Sequence, residues 1–150
     1  MTGDLTILLA EDDDGHATLI RRNLARSRLH ATLLRARDGQ ELIDLLSDFN
    51  SLLPGARVLV LLDISMPRVD GFEVLRRIRS DAFTRSIPVY MLTTSDNPVE
   101  IDRCFAFGCN AYLSKPVAYD AFVAAIERLC QFLEVSQIPG LPERRQNVCA

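Results

Sequence analysis

The sequence lacks a long hydrophobic run: no stretch approaches the ~20 apolar residues that a membrane-spanning helix needs. It lacks a basic segment followed by an apolar one near its start, the pattern of a secretory signal. It lacks a CxxC pair. Its cysteines stand singly at 104, 109, 130 and 149, a spacing that argues against a zinc site and for reduced thiols in a cytoplasmic protein. It lacks an excess of positive charge. Lys and Arg number 17 against 20 Asp and Glu, and a net charge of −3 leaves no electrostatic footprint for nucleic acid. Internal repeats and low-complexity blocks are missing as well. What is present is ordinary for a globular chain: 150 residues, 48% hydrophobic and 25% charged, enough for one core.

One stretch organises the rest. Val58-Leu59-Val60-Leu61-Leu62 is apolar without alternation and stops at Asp63. Such a run reads as a strand buried on both faces, so Asp63 stands at the C-terminal end of a central strand. In open α/β sheets ligands bind at that edge. Pro67 and Asp70-Gly71 then turn the chain into a helix.

The remaining elements alternate. Leu5 to Ala10 is a first strand, followed by the acidic run Glu11-Asp12-Asp13-Asp14. A helix follows, with Leu19, Ile20 and Leu24 on one face and Asp13 or Asp14 as its cap. Ala31 to Ala36 is a second strand. After the Asp38-Gly39 turn, Leu42, Ile43, Leu45, Leu46 and Phe49 make an apolar helical face that ends at Pro54-Gly55. Beyond the central strand, Val74, Leu75 and Ile78 face inward, and Arg76, Arg77 and Arg79 read as a solvated face. Ile87 to Leu92 is a fourth strand, with Pro88 near its start. Pro98 opens a fourth helix and Gly108 closes it. Ala111 to Leu113 is a short fifth strand, and the last helix spans Tyr119 to Val135. Five strand–helix alternations imply an α/β fold with a parallel sheet covered on both faces. The domain is expected over 1–135 and a tail, with no output domain, over 136–150.

Four strand ends carry chemistry: Glu11-Asp12, Asp63, Thr93 and Lys115. A parallel sheet brings them to one edge. Carboxylates about 4 Å apart at an effective dielectric of ~20 repel by about 4 kcal/mol per pair, so the cluster needs protons or a cation. Hard oxygen ligands in a partly hydrated site suit Mg²⁺. A carboxylate, a divalent cation, a hydroxyl donor and an ammonium together can stabilise a phosphoryl group on Asp63.

These residues resemble a response-regulator receiver domain of the CheY-like kind, over about residues 5 to 135. The matching segments are Leu9-Ala10-Glu11-Asp12, Leu62-Asp63-Ile64-Ser65-Met66-Pro67, Asp70-Gly71, Leu92-Thr93-Thr94-Ser95 and Tyr112-Leu113-Ser114-Lys115-Pro116. The resemblance implies a flavodoxin-like sheet of order 2-1-3-4-5, with Asp63 as phosphoacceptor. It implies Mg²⁺ held by Asp12, Asp63 and the Ser65 carbonyl, with Glu11 acting through water. It makes Thr93 the hydroxyl donor, Lys115 the cation on the phosphoryl group and Tyr112 the aromatic that turns inward. The Lys115–Pro116 bond would be cis. In the acidic run Asp13 or Asp14 is the alternative register to Glu11-Asp12.

The segment Arg79 to Pro88, with Leu92 to Ser95, resembles more narrowly the stand-alone regulators paired with phytochrome kinases. It departs from them at Ser65-Met66, where Asn-Leu is usual. The function implied is acceptance of a phosphoryl group from a sensor histidine kinase, slow self-hydrolysis, and signalling by protein binding or relay, without turnover of an external substrate. A metal-dependent aspartyl-phosphate phosphatase is the enzymatic alternative, but such enzymes want an acid at the Ser65 position. A receiver that only binds partners is the third reading, against which the intact set Asp12, Asp63, Thr93 and Lys115 counts.

Other residues read as structural. His16 and His30 lack a ligand pattern and read as surface residues; Phe105 and Phe107 read as packing. Exposed apolar residues on the fourth and fifth helices offer a partner surface. On the last helix Phe122, Ile126, Leu129 and Leu133 form the core stripe. Ala125 and Phe132, Val123 and Cys130 widen the arc, and Val135, Ile138 and Leu141 extend it into the tail. That surplus, with the resemblance, points to a homodimer through the C-terminal helix and tail; the alternative is a tail folded onto its own domain.

Overall fold

A computed structural model describes residues 5–48 and 55–142. Five parallel strands, β1 (Leu5–Ala10), β2 (Ala31–Ala36), β3 (Arg57–Leu62), β4 (Val89–Thr93) and β5 (Ala111–Ser114), lie in the order β2-β1-β3-β4-β5. Between and after them run α1 (Asp14–Arg26), α2 (Gly39–Ser47), α3 (Gly71–Ser80), α4 (Pro98–Ala106) and α5 (Tyr119–Val135). This is the flavodoxin-like order expected. Phe49, Pro54 and Cys149 lie outside the described residues.

Alternation within the buried strands builds the two layers. On β3, Val58, Val60 and Leu62 pack with Leu42 and Leu46 of α2 and Val74, Leu75 and Ile78 of α3. Leu59 and Leu61 face the other way, onto Ile20 and Leu24 of α1 and Phe122, Ile126 and Leu129 of α5. The expected core stripes of α3 and α5 are thus buried as read. The register places Ala10, Leu62 and Met91 side by side, so the ends of β1 and β3 are level and β4 runs two residues further, to Thr93.

Four helices begin at that edge with side-chain caps. Asp13, Asp38, Asp70 and Asn97 accept from the backbone N–H of His16, Glu41, Glu73 and Val99. Of the two candidate caps for α1, Asp13 does the work.

Three placements differ from the expectations. Arg79 is not on the solvated face with Arg76 and Arg77. It stands at the last turn of α3, and its guanidinium reaches across the lower end of the sheet. There it donates to the carbonyls of Gly108 (2.9 Å), Ile87 (2.7 Å) and Arg85 (3.1 Å) and to Asn110 Oδ1 (2.8 Å). Gly108, at φ +96°, closes α4 in the left-handed region and turns its carbonyl to this cation. β4 begins at Val89, because Pro88 has no N–H to pair; its carbonyl still accepts from Val60 N at 3.0 Å. The start of the tail folds onto its own domain. Gly140 bridges Arg57 in antiparallel sense, Leu141 N donates to the Ala56 carbonyl, Gly55 N donates to the Leu141 carbonyl, and Ile138 and Leu141 are buried. Phe132 and Val135 of α5 stay exposed.

Arg79→Ala removes a half-buried cation from four acceptors. It is expected to cost about 2–4 kcal/mol in urea unfolding, whereas Arg76→Ala, whose exposed partner Glu73 is also held by Arg77, leaves the midpoint close to the parent's.

Candidate functional site: an acidic cluster at the sheet edge

Glu11, Asp63 and Lys115 each sit one position past a strand and are held by one further ladder bond. Glu11 N donates to the Ala36 carbonyl (3.0 Å), Asp63 N to the Ala10 carbonyl (3.2 Å) and Lys115 N to the Thr93 carbonyl (2.7 Å). The sheet register therefore extends into the site and fixes its backbone. Glu11, Asp63, Thr93 and Lys115 are all buried, whereas Asp12 is exposed.

Lys115 is the centre of the cluster. Its Nζ donates to Glu11 Oε1 at 2.5 Å and to Asp63 Oδ2 at 3.2 Å. Carboxylate oxygens of Glu11, Asp12 and Asp63 all lie within 4.8 Å of one another. Glu11 Oε2 is buried and has no hydrogen-bond partner among the described residues. A buried carboxylate oxygen without a donor, beside two further acids, is the environment a hard divalent cation or its water shell satisfies. The donor set fits Mg²⁺ or Mn²⁺. The Glu11-Asp12 register is the one that meets Asp63; Asp13 is occupied as the α1 cap, and Asp14 pairs with Arg35 at 2.7 Å.

The loop after β3 wraps tightly behind Asp63. Ser65 N donates to Asp63 Oδ1 at 3.3 Å, and Ser65 itself is exposed. Gly71 N donates to the Ile64 carbonyl, and a Cβ on Gly71 would stand 2.3 Å from the Asp63 carbonyl oxygen. Only glycine lets α3 begin so close to Asp63. Arg68 occupies the left-handed region at φ +68°, which costs about 1–2 kcal/mol for a residue with a Cβ. A two-pronged bond from its Nε and Nη2 to Asp38, both at 2.9 Å, holds it there.

On the other flank, Thr93 Oγ1 stands at the end of β4 and accepts from Ser95 N at 3.4 Å. The Tyr112 hydroxyl donates to the Ser95 carbonyl at 2.5 Å, so the ring is half-buried and tied to the loop that follows Thr93. Ser95 Oγ in turn donates to Glu100. The Lys115–Pro116 bond, expected cis, is not: no cis peptide occurs among the described residues, and the bond has the trans form that X–Pro favours by about 0.5–1 kcal/mol.

His16 departs most from its expected surface role. Its Nδ1 lies 2.9 Å from Glu11 Oε1 and 3.2 Å from Lys115 Nζ, and its ring tilts against Phe122 with centroids 5.2 Å apart. The available signal was positional. With Asp13 as cap, His16 is the third residue of α1, in the first turn above the strand edge.

Burial pushes the Glu11 carboxyl up to about 7; Lys115 pulls it back and the neighbouring Asp63 adds to the rise. Between pH 4.5 and about 7 the folded protein holds a proton that the unfolded chain has released. Metal-free stability must then fall as pH rises through that window. Denaturation midpoints in chelator at pH 5 and pH 7.5 are expected to show that fall, and Glu11→Gln should flatten it.

Comparison with known proteins agrees with this geometry. The family described as response regulator receiver domain matches residues 7–127. The probable methanogenesis regulatory protein FilR2 of Methanothrix harundinacea is 36% identical over 138 residues, covering 89% of this chain and 87% of that protein. The phosphorylated cyanobacterial phytochrome response regulator RcpA superposes with a TM-score of 0.84 at 30% identity, over 92% of this chain and all (100%) of that one. The Mn²⁺-bound form of response regulator Rcp1 gives 0.83 at 30% identity, over 90% and 99%. The match to the family over most of the chain, together with the acids and lysine gathered at the sheet edge, makes this chain a member of the response regulator receiver family of two-component signalling.

Proposed function

We propose that this receiver takes a phosphoryl group onto Asp63 from a sensor histidine kinase of the phytochrome class and signals by protein binding or onward relay. The observation that carries the reading is Asp63 at the end of the central strand, with the Lys115 ammonium 3.2 Å from its Oδ2 and Glu11 and Asp12 beside it. The likeness to the phytochrome regulator RcpA supports the choice of kinase.

In this reading an Asp63 oxygen attacks the phosphorus of the donor phosphohistidine. The new O–P bond forms as the P–N bond breaks, and the departing imidazole keeps the electron pair. Asp12, Asp63 and the Ser65 carbonyl would hold Mg²⁺, and Glu11 would reach it through water. When bound, the cation neutralises charge on the phosphoryl oxygens. Lys115 turns its ammonium to one phosphoryl oxygen, and Thr93 donates its hydroxyl to another. Displacement of Thr93 would pass to the loop at Ser95, which Tyr112 already grips, and so reach α4. Among the described residues no helix is long and apolar enough to cross a membrane. The role we assign is that of a cytoplasmic signalling protein without external substrate turnover and without nucleic-acid binding.

A homodimer is part of the proposal. With Ile138 and Leu141 covered by their own domain, the apolar surface left at the C-terminal end of α5 for a second copy is Phe132 and Val135, 55% and 83% exposed.

Incubation with acetyl phosphate and Mg²⁺ should add one phosphoryl group by intact mass, and Asp63→Asn should abolish it with unfolding behaviour retained. A phosphoryl adduct in that variant overturns the assignment of Asp63. In light scattering at tens of micromolar, the parent should run as a dimer and Phe132→Glu as a monomer. A monomeric parent, with and without phosphorylation, overturns the dimer.

A further inference from the structure

Lys115 is required in two places. Its closest contact is Glu11 Oε1, and Asp63 Oδ2 is more distant. Its three N–H donors let the ammonium serve both acids at once, but any shift of Nζ toward a phosphoryl group on Asp63 weakens the bond to Glu11. Glu11 is only 1% exposed, and its Oε2 already lacks a donor among the described residues. Stripping Oε1 as well would leave a buried acid with no hydrogen bond, a state that folded proteins avoid because its desolvation goes uncompensated. His16 Nδ1 stands 2.9 Å from that same oxygen. We infer that His16 is a positioning residue: its Nδ1–H is the standing donor to Glu11, which keeps that carboxylate oriented toward the cation and frees Lys115 for Asp63.

Three features place the ring for this task. Asp13 Oδ1 accepts from His16 N at 2.9 Å, so the cap of α1 sets the backbone from which the side chain rises. The ring lies against Phe122, whose own side chain is buried beneath α5. Asp13 Oδ2 is 3.9 Å from Nδ1, further than Glu11, and Lys115 Nζ, at 3.2 Å, is a donor that Nδ1 would accept from only in the opposite tautomer. With a cation bound Glu11 is ionised and its oxygen can only accept, so the nearer contact, at 2.9 Å, selects the tautomer with hydrogen on Nδ1. Two donors, one mobile and one fixed, thus converge on one oxygen.

The inference rests on the receiver reading only in taking Glu11, Asp12 and Asp63 as a cation site, and binding of Mn²⁺ alone tests it apart from phosphorylation. His16→Phe keeps an aromatic ring against Phe122 and removes the nitrogen; His16→Asn restores an N–H near the Nδ1 position without the ring. Titration with Mn²⁺ should show about tenfold weaker binding for His16→Phe, of the size that loss of a partner behind a metal ligand produces, and recovery for His16→Asn. The metal-free melting temperature should move little. In a Glu11→Gln background, His16→Phe should add nothing further, because the donor acts through Glu11. At saturating metal, acetyl phosphate should label His16→Phe several-fold more slowly than the parent. Parent-like Mn²⁺ affinity in His16→Phe, failure of His16→Asn to recover it, or an undiminished His16→Phe effect in the Glu11→Gln background each overturns the role. A parent that binds no Mn²⁺ overturns the cation site itself, and this role with it.

Discussion

Three acids crowd one end of a parallel sheet, and a single buried ammonium bonds two of them, Glu11 and Asp63. Without Lys115, the carboxylates of Glu11 and Asp63 would face each other in a site that excludes most water, where like charges repel strongly. The sheet makes this crowding unavoidable. Glu11 and Asp63 follow level strand ends, and each is fixed by one more ladder bond than the strand itself needs. Much else near the site serves to hold that arrangement: the level register, the caps that begin the helices at this rim, and the tight loop behind Asp63.

That loop is where backbone freedom is spent. Gly71 lets α3 start against the Asp63 carbonyl, and Arg68 is kept in a left-handed conformation by its paired bonds to Asp38. Asp38 also caps α2, so the loop that follows Asp63 is tied to the neighbouring βα connection. On the opposite flank, Tyr112 and Glu100 both engage Ser95. Each side of Asp63 is therefore braced by a contact outside the cluster, one through a guanidinium and one through a phenol.

Much of this was legible in the residues. An uninterrupted apolar run ending in Asp63 has few readings other than a central strand, and the turn signals at Asp70-Gly71 and Pro98 located the helices that follow. Within the described residues, α5 runs over the span expected of it. What escaped were side chains whose partners are far away in the chain. Arg79 shares a helix with Arg76 and Arg77, and nothing local separates a solvated arginine from one that answers carbonyls 29 residues away. His16 lacks a motif because its partners come from a strand end five residues back and a loop 99 residues on. The apolar tail residues declared that they would be covered but not by what; two main-chain bonds at Gly55 and Ala56 supply the answer within the same chain. The peptide before Pro116 was read from family likeness, and the chain there takes the ordinary trans geometry.

The guanidinium of Arg79 has a consequence for how β5 moves. β5 is a four-residue edge strand with a neighbour on one side only, so its ladder is a weak restraint. At its lower end Asn110 is bonded to Val89 in both directions and to Arg79 as well, which makes that end part of the packed body. At its upper end Ser114 is exposed, and beyond it Lys115 is held by its N–H to the Thr93 carbonyl and by the acids its ammonium meets. The strand is thus clamped at one end by a guanidinium and held at the other by a ladder bond and a charge cluster. Tyr112, halfway along, ties it to the loop at Ser95, so β5 and that loop are held as one piece.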